Sequence, residues 1–201
     1  MAVDLDDVVL GGHSMNASIV WSYLEQSGGH RLSKLIFIDQ APTVVRQPGF
    51  SDQDALDAGA VFTPDALYAT ASAVAINQTA TLETLKGAFF SPGFIAANAH
   101  AVADNRDESL KMPAEYAARM LIDHCAQDWR GLLRHGAPTG LPVLVFGGAL
   151  GTIVQPEAAR WIAGQIPGAQ LAIYGADEGG SHFMFAENPT RFNSDLASFI
   201  G

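Results

Sequence analysis

The chain has 201 residues and carries 21 acidic against 11 basic side chains, a formal net charge of -10. Such a charge repels phosphate backbones and argues against nucleic acid as a partner. The length suits one domain, or one core with an inserted lid, and hydrophobic residues at 48% suit a sizeable buried core rather than a disordered chain.

Residues 6–11 read as a fully buried strand. The stretch Val-Val-Leu-Gly-Gly-His-Ser-Met-Asn at 8–16 runs from that strand through a Gly-X-Ser-X turn directly into a helical pattern. That is how a sheet lifts a serine hydroxyl clear of the backbone, which makes Ser14 a candidate nucleophile. Residues 15–27 predict a helix with Ile19, Val20, Tyr23 and Leu24 on one face and Ala17, Ser18 and Ser22 between them. Gly28 and Gly29 stop it, because glycine takes the left-handed cap conformation cheaply. Residues 35–38 form a short apolar strand that ends in Asp39-Gln40-Ala41-Pro42. Strand, helix and strand with a short return imply a right-handed parallel crossover.

Residues 43–135 hold helix starts and no strong strand. Thr63-Pro64-Asp65 places a capping threonine before a proline at the first helical position. Further helices are expected over 79–90, 92–105 and 113–127. Phe89, Phe90, Phe94 and Ile95 either line a pocket or pack the core of this segment. Cys125 is the only cysteine, so no internal disulfide forms and a reducing, cytoplasmic setting is allowed. Asp123, His124 and Asp128 surround it, but a buried helix cysteine is the favoured reading over a thiol site.

Strand character returns over 141–146 and ends at Gly147-Gly148. Residues 156–166 predict an amphipathic helix with Ala159, Ile162 and Ala163 facing inward. Residues 171–174 are the last strand. The loop Glu178-Gly179-Gly180-Ser181-His182-Phe183 follows, then a closing helix from Asn188-Pro189. No stretch reaches the ~20 apolar residues of a membrane span. Acids in Met1-Ala-Val-Asp-Leu-Asp-Asp stand where a secretory signal carries Lys or Arg, so no export signal is read.

A serine hydroxyl needs a base within hydrogen-bond reach, and the base needs a partner that fixes its tautomer. Ser14 follows the first strand and His182 follows the last. In a parallel sheet both loops leave the same edge, where open α/β proteins place their sites. A Ser14–His182 pair is therefore expected. His13 is read as a packing residue, because adjacent strand residues point to opposite faces.

Four stretches together resemble the α/β-hydrolases, in particular the esterases and cofactor-free haloperoxidases. They are Gly-Gly-His-Ser-Met at 11–15, Leu-Ile-Phe-Ile-Asp-Gln-Ala-Pro at 35–42, Leu-Pro-Val-Leu-Val-Phe-Gly-Gly at 141–148 and Gly-Gly-Ser-His-Phe-Met-Phe-Ala-Glu-Asn-Pro at 179–189. The resemblance implies a parallel sheet flanked by helices, the C-terminal portion of that fold. Its core would be 1–42 and 136–201, with 43–135 as an inserted helical cap. It implies Ser14 as nucleophile, His182 as general base and the Met15 backbone N–H as an oxyanion donor. The partner would be a small ester or lactone held in an apolar pocket under the cap, with no cofactor.

Three positions depart from the family pattern. The loop after the penultimate strand, Gly147-Gly148-Ala149-Leu150-Gly151-Thr152, holds no carboxylate, and Glu157 lies in the next helix. Asp39, one strand earlier at the same edge, is the chosen triad acid. Asp128 is the reserve, with a helix cap as its competing role. Asn16 stands where the fold usually has glycine, beside the nucleophile. Residues 1–7 hold no strand or loop to supply a second oxyanion donor. The first strand is then expected to be an open edge, a route to self-association. A binding protein of the same fold without turnover is the competing function. A dinucleotide site at 146–151 fails on glycine spacing, and the six histidines show no paired metal-ligand spacing.

Overall fold

Four apolar runs form one parallel sheet: β1 (Val8–His13), β2 (Leu32–Ile38), β3 (Val143–Gly148) and β4 (Gln170–Tyr174), in spatial order β1-β2-β3-β4. The structure is a computed structural model that describes residues 4–135 and 140–201. The first three residues, and the core boundary expected at 136, lie outside the described residues. Every residue of β3 is buried, as expected for a central parallel strand covered on both faces.

Ten α-helices and one 3-10 turn, Ala176–Glu178, are described. The first, α1 (Met15–Ser27), connects β1 to β2. Between β2 and β3 come α2 (Asp52–Ala58), α3 (Pro64–Phe89), α4 (Pro92–Ala97), α5 (Ala99–Ser109), α6 (Ala114–Cys125) and α7 (Arg130–His135). After β3 come α8 (Pro156–Gln165), α9 (Met184–Glu187) and α10 (Pro189–Ile200). No helix among the described residues is long and apolar enough to cross a membrane.

Strand alternation builds the two cores. Leu35, Phe37, Val143 and Val145 point to one face, where they meet Trp21 of α1, Leu133 of α7 and Ile162 of α8. Ile36, Leu144 and Phe146 point to the other, against Tyr174, Met184, Phe192 and Phe199. Lys34 of β2 donates to the Phe199 and Ile200 carbonyls at 2.8 and 2.6 Å, satisfying the open C-terminal end of α10.

Both β1 and β3 run two residues past their predicted ends. Gly147-Gly148, read as ending the third strand, belongs to β3, and Gly12 lies within β1. A side chain on Gly12 would stand 2.4 Å from the Asn16 carbonyl oxygen, and one on Gly147 would stand 2.6 Å from Ala159 Cβ. The glycines let helices close onto the strand ends. The buried face of α1 also differs from the predicted one. Ala17, Ser18, Val20, Trp21 and Leu24 are buried, and Ile19 is 58% exposed. Small Ala17 and Ser18 bring the helix near the sheet, and Trp21 takes the central position.

Between β2 and β3 the helix expected from 79 begins instead at Pro64. It runs through a kink at Asn77, whose φ is -151°. The Asn77 side-chain oxygen accepts the Ala80 N–H at 3.1 Å, an internal cap at the point where the sequence signalled a start. The helix expected over 92–105 breaks at Asn98 into α4 and α5. The ends of the segment meet: Thr43 bridges Asp128, and the Trp129 N–H donates to the Pro42 carbonyl at 2.8 Å. Trp129 and Leu133 pack in the main core beside α1. Cys125 is buried and its thiol is pushed up to about 12 by that burial, so it is inert as a nucleophile.

The β1 edge is unpaired among the described residues. Beside it a groove of about 360 Å³ is lined by Leu5, Val8, Leu10, Ile19, Val20, Tyr23, Arg31 and Leu32.

Trp21 is 0% exposed and lies edge-on to Phe37 at 5.5 Å between ring centroids. Trp21→Ala should lower unfolding free energy by about 3–5 kcal/mol, because the cavity refills only in part. Urea denaturation followed by far-UV circular dichroism measures it. A loss under about 1 kcal/mol would show that Trp21 does not anchor this core.

Candidate active site

The parallel register ends β1, β2 and β3 side by side, and the chain leaves each at the same edge. Ser14 leaves β1, Asp39 leaves β2 and Gly148 closes β3. The Ser14 N–H donates to the Ile38 carbonyl at 2.9 Å, and the Asp39 N–H to the Phe146 carbonyl at 3.0 Å. These two bonds continue the ladder by one residue and lock both turns to the sheet.

Ser14 has φ 54° and ψ -132°. Asp39 has φ 47°. With Asp7 they are the non-glycine residues of positive φ among the described residues. Such backbone costs on the order of 1–3 kcal/mol per residue and persists where the surroundings impose it, often at functional sites. Gly12 permits the turn at Ser14, since any side chain there meets the backbone of Asn16 and Ala17. Asn16 itself is exposed, so the side chain that departs from the family pattern leaves the elbow uncrowded. Met15 is the first residue of α1, and the leading N–H groups of a helix have no intrahelical acceptor. Anionic charge near this terminus is favoured by the helix dipole.

Asp39 and His182 are brought together. His182 Nδ1–H donates to Asp39 Oδ2 at 2.6 Å, with the two residues 2% and 3% exposed. That bond fixes the tautomer and leaves Nε2 with a free lone pair. The second carboxylate oxygen, Oδ1, accepts the Gly148 N–H at 3.0 Å. Burial pushes the Asp39 carboxyl above the ordinary range, and the bonds from His182 and Gly148 pull it back. The loop after β3 thus supplies a main-chain donor to an acid held on the neighbouring strand.

The His182 loop rests on close backbone contacts. A side chain on Gly148 would stand 2.5 Å from the Gly180 carbonyl oxygen, and one on Gly180 2.1 Å from that of Tyr174. The Leu150 N–H donates to the Gly180 carbonyl at 3.0 Å. His13 contributes a contact that strand alternation alone does not reveal. Its Nε2–H donates to the His182 carbonyl at 2.9 Å, and the two rings lie 4.5 Å apart. Burial and the neighbouring His182 lower the His13 pKa to about 3, so the ring is neutral. Sequence reasoning placed His13 in packing only. Its bond to a residue 169 positions away has no local signal.

The remaining candidates lie elsewhere or nearby. Asp128 is taken up by Arg130, to which it is bonded at 2.6 and 2.8 Å, and it accepts the Arg130 N–H as α7 begins. Glu157 sits in the first turn of α8. Phe89 lies 6.1 Å from the His182 ring, and Phe90 stacks on Phe183 at 4.8 Å and on Phe94 at 5.3 Å. Phe89 and Phe90 also border a cavity of about 150 Å³ shared with Leu82, Ile95, Val102 and Arg106. Phe94 is outside that cavity, and neither Ser14 nor His182 lines it. Both alternatives for these aromatics are therefore partly met: they wall a cavity and pack their own segment.

A strained serine at a strand-to-helix turn and a buried Asp–His pair share one edge of a parallel sheet. The expected Ser14–His182 pair is not hydrogen-bonded among the described residues. The architecture is that of the α/β-hydrolase fold. No family model matches the sequence and no curated protein matches it; the likeness lies in three-dimensional structure. A bromoperoxidase from Bacillus anthracis superposes with a TM-score of 0.83 at 20% identity, covering 98% of this chain and 68% of that one. For an esterase from Exiguobacterium antarcticum the values are 0.80, 22%, 98% and 67%. For an enol-lactonase from Burkholderia xenovorans they are 0.76, 18%, 98% and 66%. The chain thus has this fold and spans about two thirds of the length of these structures.

Two outcomes follow from the site's construction. His13 titrates near 6.5 when unfolded and near 3 in place, so the unfolded chain binds the extra proton between those values. The stability due to neutral His13 is complete above pH 6.5 and is lost as pH falls toward 3. His13→Gln removes that titration. The denaturation midpoint of wild type should fall more steeply than that of the variant between pH 6.5 and 4; parallel curves would contradict it. Gly148→Ala should cost about 1–3 kcal/mol through overpacking against the Gly180 and Ser181 carbonyls. Chemical denaturation would show a wild-type midpoint if the close approach were absent.

Proposed function

We propose that this chain is a serine hydrolase of small carboxylic esters or lactones, with Ser14 as nucleophile, His182 as general base and Asp39 as orienting acid. The observation that carries the reading is the 2.6 Å Asp39–His182 bond, at the sheet edge where Ser14 is held at positive φ. The esterase and enol-lactonase among the structural neighbours support the substrate class.

In this reading Ser14 Oγ attacks the carbonyl carbon while its proton passes to His182 Nε2. The carbonyl π-pair moves onto oxygen, and the Met15 N–H at the head of α1 stabilises the oxyanion. Asp39 stabilises the imidazolium through Nδ1–H. Collapse breaks the ester C–O bond, and the alcohol leaves with the proton from His182. From a lactone, that alcohol stays attached to the acyl group. Water, deprotonated by His182, then attacks the acyl-enzyme and Ser14 is restored. The helices between β2 and β3 act as a cap, with Phe89 and Phe90 facing the acyl group.

A second reading, a binding protein of this fold without turnover, is favoured by one observation: the Ser14 side chain makes no hydrogen bond to His182 among the described residues, where the ring is held by Asp39.

A fluorophosphonate probe separates the readings. The hydrolase should be labelled at Ser14, located by mass spectrometry, and Ser14→Ala should reduce p-nitrophenyl acetate turnover by at least ~10³-fold. No labelling of folded protein, together with equal turnover by wild type and variant, would leave the binding reading.

A further inference from the structure

A carboxylate outside the proposed triad joins the His182 loop to the segment that carries Phe89 and Phe90. Glu187, the last residue of α9, is half-buried and accepts three hydrogen bonds. Its Oε1 accepts the Ser91 N–H at 2.7 Å and the Ser181 hydroxyl at 2.6 Å. Its Oε2 accepts the Ser91 hydroxyl at 2.6 Å. Ser91 lies 96 positions away and caps α4, its Oγ accepting the Phe94 N–H at 3.2 Å. Ser181 is 1% exposed and precedes His182, and its Oγ accepts the Phe183 N–H at 3.3 Å.

Each serine hydroxyl therefore donates to Glu187 and accepts from a main-chain N–H. The bonds run unbroken from the start of α4, through one carboxylate, to the residue after His182. The Phe183 N–H also points to the Phe89 carbonyl at 3.2 Å, and Phe183 stacks on Phe90. Gly179, at φ 77°, makes room for the arrangement, since a side chain there would stand 2.8 Å from Glu187 Cβ.

We infer that Glu187 is a positioning residue: it latches Ser91 to Ser181 and so fixes the distance between the proposed base His182 and the Phe89–Phe90 wall. This rests on the hydrolase reading for its effect on turnover, but not for the latch itself. The Asp39–His182 pair is left intact by the residue's loss, because Asp39 is bonded to His182 and to the Gly148 N–H without it. A carboxylate accepts all three bonds at once. The amide of Gln is uncharged and has one acceptor oxygen, so its NH2 would face the Ser91 hydroxyl that now donates to Oε2, and that charge-assisted bond would be lost or reversed. Charge-assisted bonds of this kind are about twice as strong as neutral ones, so three on one side chain hold a loop firmly.

The test compares full-length wild type with Glu187→Gln and Ser91→Ala in two measurements. In hydrogen–deuterium exchange resolved by NMR, both variants should speed exchange at the Phe183 amide, and Glu187→Gln also at the Ser91 amide. The Gly148 amide, bonded to Asp39, should keep its wild-type rate in both. In turnover of p-nitrophenyl esters, Glu187→Gln should lower kcat about 10-fold or more with KM for the acetate little changed. Combining it with Ser91→Ala should add little, as for residues acting through one network. Glu187→Asp should recover part of the loss. Wild-type exchange at Ser91 and Phe183 in Glu187→Gln overturns the latch. Faster exchange with unchanged kcat in a Ser14-dependent enzyme overturns the positioning role. If wild type itself shows no Ser14-dependent turnover, the hydrolase reading fails and exchange alone decides the latch.

Discussion

A carboxylate shut away from water governs this structure. Asp39 sits almost fully buried at the end of β2, where an unpaired charge would cost several kcal/mol. It is tolerated because both oxygens are bonded, one to a side chain and one to the main chain. Those bonds impose conditions on the rest of the chain. Position 148 must be backbone-lined and narrow, the loop after β4 must fold back over β3, and His182 must enter with one defined tautomer. The glycines at 148 and 180 and the bond from His13 to the His182 carbonyl meet these conditions. Breaking any one leaves a buried charge with a vacancy, so the site holds together as a unit.

Much of this was legible in the sequence, and what was hidden follows a physical pattern. Apolar runs marked all four strands, and the Gly-X-Ser-X turn marked Ser14. Asp39 was chosen over Asp128 because the family resemblance allows the acid one strand earlier when the loop after the penultimate strand is empty, and its carboxylate is hydrogen-bonded to His182. Capping residues marked several helix starts, even where Asn77 turned out to be an internal cap. The strand ends were misread because glycine stops a strand in one setting and admits a neighbour in another. That choice depends on what packs there, and a local window does not contain it.

Side-chain partners distant in sequence were the harder part. His13 looked like a packing residue, and Glu187 lay inside the stretch 179–189 that carries the family resemblance, with no role of its own read from it. Each finds its partner across 169 and 96 positions respectively. Such contacts become readable only after strand order is known, because the sheet brings the loops together. Asn16 was the opposite case: the residue that departs from the family pattern is exposed, and Gly12 carries the close approach.

The order of the chain gives the position of Asp39 a further meaning. Ser14 and Asp39 close adjacent paired strands before the helices begin, and His182 comes after the last strand. The spacing of Ser14 and Asp39 is thus set by a strand register that the intervening helices do not enter. Those helices are free to diversify by insertion, deletion or exchange, since lengthening a surface excursion carries only a slowly rising entropic cost. The pairing of Ser91 with Glu187 limits that freedom. A transplanted helical segment would leave the spacing of Ser14, Asp39 and His182 in place yet arrive unmoored unless it brought its own donor for that carboxylate. In a graft between members of this fold, one serine rather than overall shape would decide whether the new part engages the old.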